Sequence, residues 1–189
     1  MLKNILIISG LCSALVFSSC NSKYKDDAQV ESTEEINEAK FSHNDDKEDD
    51  AEFLVEAAGY NIMILEISEI ARKKAISPRA QSLAKSMATE HQMVKDQLSS
   101  IAREKSIVLP VEYVSNEHNT KEKFMDMVPG EDFDEAYVEF IEDAHEKIKT
   151  ELDDIDEIND SEIKTWAKSF ISKVEMHEEM ADEMEDKID

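Results

Sequence analysis

Three histidines, His91, His145 and His177, stand where the spacing of their neighbours calls for apolar residues. His91 falls in the series Ala80, Ala84, Met87, His91, Val94, Leu98, Ile101. His145 falls in Val138, Ile141, His145, Ile148, Leu152, Ile155, and His177 in Ile163, Ala167, Phe170, Val174, His177, Ala181, Met184, Ile188. The intervals alternate three and four, the pattern of one buried helix face. Counted from the break at Asn159-Asp160-Ser161, His145 and His177 differ in height by roughly 3 Å at a rise of 1.5 Å per residue. His91 is also near mid-helix, so the three imidazoles are expected to meet at one level in the core. A single buried imidazole is most simply a core residue bonded to a neighbour. Three together need shared polar partners, and a metal ion is one that all three can share.

Carboxylates are within range of this level. Glu66 flanks the first helix seam beside Met63 and Ile70, about 4.5 Å in height from His91. Glu142 precedes His145 by three residues, the pair used in carboxylate-bridged metal bundles. The expected ligand set is therefore Glu66, His91, Glu142, His145 and His177, with zinc, iron or copper as the ion. The plainer alternatives are a solvated Glu66 and a Glu142 paired with a surface lysine. Met176, Met180 and Met184 recur every four residues beside His177. Thioethers would suit copper, but such a stripe is also ordinary core filler. His43 and His118 fall outside the seams.

The elements that must hold these residues are helices. Only three glycines and three prolines occur in 189 residues, and strand-like alternation is absent. A first helix is expected from about Asp50 to Ala75. A second follows Ser77-Pro78, an N-cap and a first-turn proline, and runs to about Lys105. The connection from Ser106 to Glu131 is long and holds Pro110, Pro129 and Gly130, with a short helix expected within Asn116 to Val128. A third helix starts near Asp132, with Asp132 and Glu135 as a capping box, and a fourth follows Ser161. Two short turns and one long middle connection between helices 2 and 3 predict an all-α, ferritin-like four-helix bundle over residues 50–189. A plain up-down bundle is the alternative.

The N-terminal part reads as an address. Lys3 precedes an apolar run from Ile5 to Phe17, which is shorter than the about 20 residues that span a bilayer. Residues 1–19 are read as a signal peptide, and Phe17-Ser18-Ser19-Cys20 resembles the lipobox of bacterial lipoproteins, although Phe17 replaces the usual leucine. Cys20 would carry the lipid, and Cys12 would be discarded with the leader, so no disulfide is expected. Residues 20–49 are polar and acidic and are expected to be a disordered tether, roughly 30 Å in r.m.s. span. Lys23-Tyr24-Lys25-Asp26-Asp27 is similar to export signals of surface lipoproteins. With 45 acidic against 21 basic residues the net charge is −24, which repels nucleic acid and attracts divalent cations.

Taken together, Phe53-Leu54-x-Glu56-Ala57-Ala58, Leu65-Glu66-Ile67, Met87-x-x-Glu90-His91, Ile107-Val108-Leu109-Pro110, Phe133-Asp134-x-Ala136-Tyr137, His145-x-Lys147 and His177 resemble the domain of unknown function 4142 family. Those bacterial proteins are described as outer-membrane proteins with a ferritin-like bundle. The resemblance covers about residues 50–186 and implies that fold and the placement of Glu66, His91, His145 and His177, but no established activity. The wider ferritin-like superfamily binds two irons through two Glu-x-x-His motifs, of which only Glu142-His145 fits. Ala88 and Val174 stand where the other glutamates would be, which counts against ferroxidase or oxygenase chemistry.

Three functions fit these residues. The first is an outer-membrane lipoprotein, periplasmic or surface-facing, that binds one transition-metal ion. The second is a non-catalytic structural or interaction lipoprotein without metal, and the third is a metal-dependent oxidoreductase. No nucleophile elbow, phosphate loop or Cys-His pair argues for other catalysis, so the chain is not expected to be an enzyme.

Overall fold

The computed structural model describes residues 27–112, 119–152 and 155–185. Among these residues there are six α-helices and no strand: α1 (Asp27–Phe41), α2 (Asp45–Lys74), α3 (Pro78–Lys105), α4 (Asn119–Asp126), α5 (Glu131–Glu151) and α6 (Ser161–Glu185), with a 3-10 turn at Ile155–Glu157. The four long helices surround one core. Helices α2 and α3 form one hairpin and α5 and α6 another, and both α2 and α3 pack against α5. The connection between the hairpins carries α4, which lies against α2. No described helix is long and apolar enough to cross a membrane.

The all-helical expectation is met, and several boundaries follow the sequence signals. Ser77 caps α3 through its hydroxyl, which accepts the N–H of Ala80, and Pro78 opens the first turn. Asp160 caps α6, accepting the N–H groups of Glu162 and Ile163. The capping box at Asp132 does not form. Helix α5 begins one residue earlier, its N-cap is Gly130, and no side chain caps it. Glu131, Asp132 and Asp134 place negative charge in its first turn instead, where the helix dipole favours it.

The largest departure lies in the expected tether. The leader and Cys20 are outside the described residues, but residues 27–41 form helix α1 and α2 begins at Asp45, not Asp50. Thr33, Asn37 and Phe41 of α1 are buried, and Asn37 pairs with both backbone groups of Val108: its Nδ2 donates to the carbonyl and its Oδ1 accepts the N–H, each at 2.8 Å. Two of these three anchors are polar, so a reading based on apolar surface misses them. Helix α2 is buried on nearly all sides from Ala57 to Ile64. Its flanks are covered by α1, α3, α4 and α5.

Each hairpin turn is held by an aspartate from the opposite hairpin. Asp134 of α5 accepts the N–H groups of Ile76 and Ser77, at 3.1 and 2.6 Å, in the α2–α3 turn. Asp50 of α2 accepts those of Asn159 and Asp160, at 2.8 and 3.0 Å, ahead of α6. Satisfying these turn donors fixes the relative height of the two hairpins, and with it the level at which their side chains meet.

Candidate metal centre

His91 of α3, His145 of α5 and His177 of α6 meet in the middle of the core. Each is at most 2 % exposed. Nε2 of His91 lies 3.3 Å from Nε2 of His145, which lies 3.2 Å from Nδ1 of His177. One ring nitrogen from each lies within 4.8 Å of the others, and the group could hold a metal ion.

The other three ring nitrogens are all turned outward onto oxygen. His145 Nδ1 is 2.6 Å from the carbonyl of Ile141, one turn back on α5. His91 Nδ1 is 2.9 Å from Oδ1 of Asn61 on α2. His177 Nε2 is 3.0 Å from Oε2 of Glu90 on α3. A carbonyl, an amide oxygen and a carboxylate only accept, so each of these nitrogens carries the proton and donates. Burial is the main force holding all three imidazoles neutral. It drives His91 well below its ordinary value, and the repulsion that protonated His145 and His177 rings would exert acts in the same direction; burial also takes His145 down to about 4. Burial lowers His177 as well, against the upward pull of Glu90. In Glu90 burial pushes the carboxyl up, but hydrogen bonds from His177 and Ser86 outweigh it and hold it below its ordinary value.

With the protons outside, three lone pairs face one another. A neutral imidazole has one lone pair, so His145 Nε2 cannot serve two donors well even if His91 and His177 changed tautomer. A cation at the centre resolves this. Two nitrogens about 2.05 Å from a tetrahedral ion are roughly 3.3 Å apart, which matches both short separations. Outer acceptors that fix the tautomer are also what metal-bound histidines require.

The two carboxylates expected to join the histidines do not lie in this group. Glu66 is half exposed and pairs with Lys121 of α4 at 2.9 Å. A helical residue can share a height with another and face a different way, and the docking of α4 decides that here. Glu142 is partly buried one turn before His145 and is not among the three converging ligands. Two residues were missed. Glu90 adjoins His91 in sequence but serves His177 across the α3–α6 seam, and Asn61 is a lone polar residue on the most buried stretch of α2. The signal for Asn61 was an amide in an otherwise apolar run. Its Nδ2 is buried with no partner among the described residues. Met176 is exposed and Met180 packs against the core, so these two do not point together at the histidines; the side chain of Met184 lies outside those described.

Residues 36–184 match the family described as Domain of unknown function (DUF4142). No curated protein and no solved structure matches the chain. The family match begins inside α1, which agrees with that helix belonging to the folded unit, and it spans all three histidines and their outer partners, so the chain belongs to the DUF4142 family.

Proposed function

We propose that this protein is a lipid-anchored cell-envelope protein whose helical domain, with ferritin-like connectivity, binds one transition-metal ion through His91, His145 and His177. The observation that carries the reading is the set of three inward lone pairs, each fixed by an outward N–H on an acceptor. Leaving them unmatched in the core would cost on the order of 1–3 kcal/mol for each group. Zinc, iron and copper all accept imidazole. Glu66 and Glu142 are not needed for this reading, and Glu90 acts through His177. The membrane anchor rests on the signal-like residues 1–19 and on Cys20, and places the domain on the periplasmic or outer face of the outer membrane.

A histidine-only site with a buried surround favours holding an ion over turnover, so a binding protein ranks above a metal-dependent oxidoreductase. A metal-free structural or interaction lipoprotein is the rival reading. It has one observation in its favour: separations of 3.2 and 3.3 Å are also hydrogen-bond distances. With the outer hydrogen bonds kept, it would require both His91 and His177 to carry two protons, and His145 Nε2 to be shared between two donors. Elemental analysis of the purified protein, followed by titration with zinc, iron and copper, separates the two. One equivalent bound in wild type and lost in His145→Ala supports the centre; no binding by wild type leaves the metal-free reading.

A further inference from the structure

The three histidines differ in how their outer partners meet solvent. The partner of His145 is a main-chain carbonyl inside α5. The partner of His91 is Asn61, which is 1 % exposed. The partner of His177 is Glu90, whose side chain is 22 % exposed. Among these contacts the only polar path from the centre to water runs from His177 to Glu90, through the seam between α3 and α6. Glu90 is also held in position: its Oε1 accepts a hydrogen bond from Ser86 Oγ at 2.9 Å, while its Oε2 accepts from His177. Lys173 stands one turn before His177 on the same helix, and its positive charge reaches both Glu90 and His177.

We propose that Glu90 is the port of the metal centre: a divalent cation arriving from solvent binds the Glu90 carboxylate first and passes to His177 and then to the other two histidines, with Lys173 opposing its approach. The proposal rests on the reading of the three histidines as a metal site. A carboxylate is the natural first contact for a hydrated cation, since it is anionic, reaches water with part of its side chain and offers oxygen. To admit the ion, Glu90 gives up its bond from His177 and keeps the one from Ser86, so it stays within reach of the centre while the imidazole is released. No other ligand has an outer partner that can move without breaking a helix or uncovering the core.

Loading of cobalt(II) into the purified metal-free protein tests this, because a tetrahedral cobalt centre absorbs visible light and can be followed by stopped flow. Glu90→Gln keeps the shape and removes the charge. Its loading is expected to be about tenfold slower than wild type, the lower end of electrostatic effects on association, and EDTA-driven release is expected to be no faster. Lys173→Gln is expected to load roughly threefold faster. Unchanged loading in both variants overturns the port. So does faster release with unchanged loading in Glu90→Gln, which would make Glu90 only an outer partner of His177. If Glu90→Gln does not fold, the Lys173→Gln rate decides, and an unchanged rate there overturns the proposal. Failure of wild type to bind cobalt at all is a different outcome, which removes the metal site itself.

Discussion

Nε2 of His91 and Nε2 of His145 face each other at 3.3 Å across the α3–α5 interface, and each has its proton committed on the far side of its ring, to Asn61 and to Ile141. Two acceptors in contact, with a third beside them, form a contact that the folded chain does not complete by itself.

A metal ion that binds only the folded protein raises its stability by mass action. At a thousandfold excess over the dissociation constant the gain is about 4 kcal/mol, an upward shift in Tm on the order of 10 °C for a chain of this size. Thermal melts with and without zinc should show this in wild type. His91→Leu, His145→Leu and His177→Leu should each abolish the shift. A metal-independent Tm in wild type would contradict the expectation.

The metal-free protein should lose stability in acid through its buried histidines. The unfolded chain protonates them from about pH 6.5 downward, whereas the folded protein resists until about pH 4 at His145 and lower than ordinary at His91 and His177. The unfolded state therefore binds more protons in this window. Stability is fully present above pH 6.5 and falls as pH drops towards 4, by up to about 1.4 kcal/mol per pH unit for each histidine. Urea unfolding at a series of pH values checks the slope, and His145→Leu should flatten it.

Asp134 sets the height of the α2–α3 hairpin against α5 through the N–H groups of Ile76 and Ser77. Asp134→Ala leaves two turn donors without their acceptor and should cost about 1–3 kcal/mol. Because the same contact fixes the level of His91 relative to His145, zinc affinity should fall as well. Denaturant midpoints and a zinc titration on the same variant test both effects, and a loss of stability with unchanged affinity would separate the turn from the centre.

Helix α1 should behave as part of the folded unit. Asn37→Ala strips both backbone groups of Val108 of their partner and should destabilise by about 1–3 kcal/mol. Phe41→Ala, which empties a core position, should cost about 3 kcal/mol or more. Protease digestion should stop short of residue 33 in wild type and advance to about residue 45 in the variants. Unchanged melting in both variants would return this segment to the role of a tether.

The anchor is testable without the domain. Cys20→Ala removes the proposed lipid attachment, so the protein should leave the membrane fraction or remain unprocessed. Partitioning like the parent would remove the lipoprotein reading and leave the metal centre untouched.

The sequence by itself determined the four long helices and the buried level of the three histidines. Unbroken three-and-four spacing in α3, α5 and α6 commits His91, His145 and His177 to core faces, and the break at Asn159-Asp160-Ser161 sets the heights of the last two. Covalent geometry and the rise of the helix suffice for that. Whatever depends on rotation about a helix axis, or on contacts distant along the chain, was decided only by the tertiary structure. Glu66 has the right height but faces Lys121 on α4. Glu90, beside His91 in the chain, turns to His177, which is 87 residues away. Asn61 becomes a partner of His91 because α2 is enclosed on nearly all sides. Helix α1, polar enough to read as a tether, is held by an asparagine that matches both backbone groups of Val108. Hydrophobic periodicity records which side chains leave water, but the partners of the polar ones are fixed only when the helices dock.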